Sequence, residues 1–280
     1  MTASVNPLRQ FFRQPAIYVR LPSQGEFWPK DALTIPDNRE FPVLPMTAID
    51  EISYRTPDAL FNGQAVVNVI QSCIPNIRNA WAMPNIDMDT ILLAIRIASY
   101  GHELELSSKC PHCGHEHEFG VDLHRIMDNL KCPNFERPLN SGDIEIHFRP
   151  LTYQQVMDNS LKQFEEQKII NVIPDSDMPE DEKIKILNET IVKLTRFTVI
   201  AAAQSVAMIK TPQAMVNETE FIQEFLTNCD AATFNQIKDH LMALREQTDI
   251  PPLDLKCPEC TNQYKQTFTL DQSNFFAPAS

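Results

Sequence analysis

At 280 residues, 43% hydrophobic and 22% charged, the chain can bury a sizeable core, which excludes wholesale disorder. A formal net charge of −13, with no run of Lys or Arg to offset it, repels phosphate backbones and disfavours direct nucleic-acid binding. Only 6 glycines stand against 21 prolines, and no G-x-G-x-x-G, P-loop, G-x-S-x-G, H-E-x-x-H or kinase pattern is present, so no enzymatic role is expected.

Residues 1–46 read as an N-terminal arm and extended β segment. Residues 1–13 lack the apolar stretch of a signal peptide, which predicts a cytoplasm-like compartment with reduced thiols. Residues 16–21 are β-rich, 22–26 form a turn, and the prolines of 40–45 confine that strip to an edge or loop. A helical subdomain follows over 47–101. Its helices cover 47–62, with Ile49, Ile52 and Leu60 apolar; 64–74, stopped by Pro75; and a third, capped by Asp87 or Asp89 and ended by Gly101.

Alternation then replaces helical spacing. Strands are predicted at 102–106, 116–123 and 142–149, and the first two flank Cys110-Pro111-His112-Cys113. Residues 150–250 read as an inserted helical subdomain. One helix covers 152–172. Asp177-Met178-Pro179-Glu180 caps a long one reaching about Ile209, with a seam of Ile184, Leu187, Ile191, Leu194, Thr198 and Ala201. Its apolar stretch, 197–209, is too short and too polar to span a membrane. Two further helices begin at 217–220 and at Asp230. After Pro251-Pro252, a strand, Cys257-Pro258-Glu259-Cys260 and another strand repeat the earlier plan, so 102–149 plus 251–272 form one β subdomain, with 273–280 as a tail.

Each C-P-x-C turn points two sulfurs to one side, and two such pairs are the ligand set of a closed, tetrahedral structural zinc site. Cys110, Cys113, Cys257 and Cys260 are therefore the predicted metal ligands, with Zn2+ as a structural cofactor. Ordinary ribbons separate their pairs by about 15–20 residues. Here Cys257 follows Cys113 by 144 positions (257 − 113), which predicts a split ribbon. Three alternatives stand beside the shared site. Each knuckle could bind its own metal, with His112, His115 and His117 completing the first. Cys132, in Lys131-Cys132-Pro133-Asn134, could be a ligand. The pairs could be redox dithiols, although the βαβ context of that role is lacking. Cys73 and Cys229 read as small buried hydrophobes, and His102, His124, His147 and His240 as exposed or core residues. The predicted fold class is α+β: mainly helical, with a small β region and a split zinc ribbon of two CPxC knuckle hairpins closing over a helical insertion.

Val19-Arg20-Leu21-Pro22-Ser23-Gln24-Gly25-Glu26-Phe27-Trp28-Pro29, a strand ending in L-P-S followed by a glycine and an aromatic, resembles the opening motif of the baseplate protein family of T-even-type, contractile-tailed bacteriophages. Leu44-Pro45-Met46-Thr47-Ala48-Ile49-Asp50-Glu51 with the helix to Cys73-Ile74-Pro75, and the segment from Leu92 to Ser99-Tyr100-Gly101-His102 with its knuckle, fit the same family. The likeness covers about residues 17–123. It implies a non-enzymatic structural or assembly protein of the baseplate's central hub region. Such a protein binds neighbouring tail hub proteins, with room for oligomerisation, in the virion or in the host cytoplasm during assembly. A zinc-ribbon adaptor contacting nucleic-acid or transcription machinery is the alternative.

Overall fold

A computed structural model describes residues 6–54, 63–173 and 178–268. The fold is α+β, with many helices and small antiparallel sheets. The chain forms two compact units: Met1–Ala80, Asp87–Leu130 and Ile250–Ser280 make the first, and Trp81–Ile86 with Lys131–Asp249 the second. No helix among the described residues is long and apolar enough to cross a membrane.

In the first unit, β1 (Ile17–Val19) pairs with β2 (Phe41–Val43), and Pro42 sits opposite Tyr18. In a two-stranded sheet each strand has a free edge, where a proline need not break the ladder. Helices α1 (Ala48–Tyr54), α2 (Gln64–Cys73) and α3 (Met88–Tyr100) follow. The remainder of the predicted 47–62 helix, residues 55–62, lies outside the described residues. Helix α3 is buried at Met88 and at every position from Thr90 to Ile97, the pattern of a helix at the centre of a core. Gly101, at φ +89°, closes it by donating its N–H to the Ile97 carbonyl.

Of the two predicted caps, Asp87 and Asp89, Asp87 takes the N-cap position, but its side chain makes no cap bond. Its fully buried carboxylate accepts instead from Ser23 N (2.8 Å), Ser23 Oγ (2.5 Å) and Trp28 Nε1 (2.7 Å). Burial raises its pKa, and the Ser23 and Trp28 donors pull against that rise. Between those two donors the chain turns at Gly25 (φ +87°), where a Cβ would lie 2.6 Å from Ile35 Cδ1. The Leu-Pro-Ser, glycine and aromatic signature is thus a loop wrapped around one acid. Arg13 plays the converse part, donating to the Pro45 and Ser72 carbonyls, Ser72 Oγ and Asp50 Oδ2.

Two hairpins complete this unit. The first joins β3 (Glu103–Lys109) to β4 (Glu116–Asp122), from which Asp122 caps the short helix α4 (Leu123–Asn129). The second joins β9 (Leu253–Lys256) to β10 (Gln263–Gln266). Residues 269–280, with the predicted tail, lie outside the described residues.

The second unit is built on a four-stranded sheet, β5-β6-β7-β8, made of Leu139–Ser141, Ile144–Phe148, Val206–Lys210 and Met215–Val216. Its helices are α5 (Tyr153–Val172), α6 (Glu180–Ser205), α7 (Thr219–Asn228) and α8 (Ala231–Glu246). Ile146, Phe148, Ala202, Val206, Ile209, Ile222 and Leu226 belong to its core. Thr152 and Gln155 form a capping box on α5, and Asp230 caps α8 through Thr233 N.

Two sequence expectations are corrected here. The long helix ends at Ser205, not near Ile209, because Val206–Lys210 pairs with β6 and buries Val206 and Ile209. The seam is also rotated: Thr190 is buried and Ile186, Leu187, Leu194 and Phe197 are half-buried, while Ile184 and Ile191 are 55% and 54% exposed. Its proposed cap residue Asp177 lies outside the described residues, and Pro179 occupies the N-cap.

Asp87→Ala should destabilise the first unit by about 2–3 kcal/mol, because it strands the buried Trp28 indole N–H and Ser23 donors. Trp28→Phe should cost about 1 kcal/mol, having removed one donor and left the acid two others. Urea titrations followed by circular dichroism check both values and their order.

Candidate metal centre

The same turn is built twice. At the end of the first hairpin Cys110 N donates to the His115 carbonyl (2.9 Å), and Gly114 N donates back to the Cys110 carbonyl (2.9 Å). In the second, Cys257 N donates to Asn262 O (2.9 Å) and Thr261 N to Cys257 O (3.0 Å). The residue after the second cysteine is left-handed in both turns: Gly114 at φ +74° and Thr261 at φ +58°. Glycine takes that conformation freely, whereas a β-branched threonine is strained in it.

The structure brings all four predicted cysteines together. Cys110 Sγ lies 3.7 Å from Cys260 Sγ, Cys113 Sγ lies 3.6 Å from Cys257 Sγ, and all four sulfurs are within 4.8 Å of one another. Metal–sulfur bonds of about 2.3 Å at tetrahedral angles put sulfurs about 3.8 Å apart, so this donor set fits a four-coordinate thiophilic ion. Cys110 and Cys257 are buried, Cys260 is half-buried and Cys113 is exposed.

The electrostatics show what such crowding costs. Burial opposes ionisation of Cys110, but the Cys113 and His112 backbone N–H groups, with the neighbouring thiols, outweigh it and lower this thiol to about 6. At Cys113 the His115 N–H favours the thiolate, yet Cys260, burial, Cys257 and Cys110 together push it up to about 12. Cys260 is raised as well, against its Asn262 N–H bond, by burial and by the Cys257 and Cys110 thiols. Cys110 therefore ionises readily while Cys113 and Cys260 resist, and a bound cation would stabilise four thiolates at once.

Other candidates are not among the four clustered ligands. His112 and His115 are exposed, His115 stacks on His117 (6.1 Å), and His117 Nε2 lies 3.5 Å from the Tyr264 hydroxyl. Cys132 belongs to the second unit and directs its thiol at the Pro133 carbonyl. His102 and His124 face each other at 5.5 Å, His147 lies 2.9 Å from Glu145, and His240 stacks on Phe148. Cys73 is buried as expected and burial, with the Asp50 charge behind it, pushes its thiol up to about 12; Cys229 is only half-buried. Residues that the sequence did not single out join the two hairpins. Ser108 Oγ lies 2.7 Å from Tyr264 OH and 3.1 Å from Gln266 Oε1. Their signal was strand alternation alone, since these are the half-buried or buried positions of their strands.

Fold and site together define an α+β protein whose first unit is gathered at a four-cysteine cluster. Residues 46–277 match the family described as T4 bacteriophage base plate protein, and the chain belongs to that family: it is a structural protein of a phage baseplate, part of the virion tail. The match runs past the second knuckle, well beyond the segments that carried the sequence resemblance. No curated protein and no solved structure is significantly similar to the chain.

Relief of the strain at Thr261 is measurable. Thr261→Asn, a residue that tolerates the left-handed region without glycine's entropic cost, should stabilise the first unit by about 1 kcal/mol in urea titrations.

Proposed function

We propose that this baseplate protein works in the central hub region, as a component or assembly factor, and that Cys110, Cys113, Cys257 and Cys260 hold one structural zinc ion. The carrying observation is the convergence of two knuckles, 144 positions apart in the chain, on one set of four sulfurs. Four thiolates favour a soft or borderline ion and leave no open coordination position for water or substrate, so the ion's work is structural. With the ion the two hairpins make a split zinc ribbon, and binding energy becomes folding energy. The role is non-enzymatic and its partners are neighbouring tail proteins. Exposed Phe164, Ile184, Ile191 and Phe221 are apolar surface available to such partners, and the acidic net charge is unsuited to nucleic acid.

Metal analysis of the purified full chain should give about one zinc per copy, lost in both Cys113→Ser and Cys257→Ser. Two zincs per chain, or full retention after Cys257→Ser, would overturn the shared site. Because zinc displaces protons from thiols held above neutrality, Cys113 above all, affinity should fall as pH falls from 8 to 6. Mass-spectrometric inventories of purified particles and of assembly intermediates test the hub role. The protein should accompany hub proteins in at least one of them; its absence from both, or tight salt-sensitive DNA binding, contradicts the reading.

A further inference from the structure

The two knuckle hairpins are joined by more than their sulfurs. Buried Ser108, two residues before Cys110, meets Tyr264 and Gln266 of β10, and Tyr264 in turn meets His117 of β4. One proton inventory satisfies the set. The Gln266 carbonyl oxygen only accepts, and its amide nitrogen is engaged at the Thr267 carbonyl (3.3 Å), so Ser108 donates to Oε1. With the serine proton committed there, the Tyr264 hydroxyl must donate to Ser108 Oγ. The tyrosine oxygen is then free to accept from His117 Nε2, 3.5 Å away, in the tautomer that carries its proton there. In that tautomer its buried Nδ1, which has no hydrogen-bond partner among the described residues, is an acceptor.

We propose that this directed relay, from His117 through Tyr264 and Ser108 to Gln266, is a latch that docks the 253–266 hairpin on the 103–122 hairpin without metal and positions the four thiols for an incoming ion. None of its members belongs to the four-cysteine group. They bridge the hairpins at strand positions, so the contact does not need the sulfurs to be ionised or bound. A docked pair presents four donors already converged, and metal uptake does not have to order a free hairpin. Tyr264 and Ser108 are thus positioning residues. The effect on metal affinity rests on the four-cysteine reading, whereas the latch itself does not.

The test uses the full chain, stripped of metal by a chelator, with Tyr264→Phe, Ser108→Ala and the double variant. Amide hydrogen exchange of the metal-free wild type should show protection across 253–266. Each single variant should lose about tenfold of it, the effect of one hydrogen bond, while α3 amides keep theirs. Cobalt(II) titration should give one ion per chain with the same thiolate-to-cobalt absorption in every form. The dissociation constant should rise about tenfold in each single variant and no further in the double one, because the two residues act as one unit. Unchanged exchange together with dissociation constants within about twofold of wild type overturns the latch. If wild type binds no cobalt yet the exchange pattern holds, the metal reading fails and the latch stands. Equal cobalt affinity in all forms, with exchange protection lost as expected, overturns the positioning of the thiols and leaves the docking of the hairpins. Should Tyr264→Phe also lose α3 protection, Ser108→Ala decides the outcome alone.

Discussion

Four sulfurs held within 4.8 Å of one another are an electrostatic constraint before they are a site. Backbone N–H groups at one turn favour the Cys110 thiolate, while Cys113 and Cys260 hold their protons more tightly. The cluster's shape nevertheless requires four strands, two left-handed turn residues and a set of side-chain hydrogen bonds between the hairpins. A cation bound among the sulfurs would relieve that crowding of charge.

The rest of the first unit follows a similar principle on a neutral-to-ionic scale. A single buried carboxylate, Asp87, gathers the Ser23–Trp28 loop onto the start of the central helix, and a single guanidinium, Arg13, ties the N-terminal segment to Pro45, Asp50 and Ser72. Each polar group is saturated by partners remote in sequence. Deleting Asp87 would leave the buried Ser23 and Trp28 donors unpaired, so its loss is felt beyond its own contacts.

What could be read from the chain depended on how local the physics is. The knuckles were legible because ligand chemistry fixes residue type and spacing, and helix α3 because Gly101 is the residue its ending needs. Val206–Lys210 was not: an apolar run suits helix or strand equally, and its choice is made by Ile144–Phe148, far upstream. Asp87 holds the N-cap position, but its buried role was hidden because capping and buried acceptance use the same side chain, and its donors lie 64 and 59 positions away. The seam of α6 was placed in the right helix but rotated, since spacing defines a stripe without saying which flank meets a neighbour. Ser108 and Tyr264, 156 positions apart, carried no local signal beyond alternation.

The separation of the two knuckles also has a meaning in time. Synthesis at about 5–20 residues per second leaves Cys110 and Cys113 waiting roughly 7–29 s before Cys257 leaves the ribosome's active centre. During that interval all of Lys131–Asp249 is made, so the second unit can begin to fold while the first still lacks its last hairpin. The final cysteine pair therefore acts as a completion check: closure of the first unit reports that everything between the knuckles has already been made.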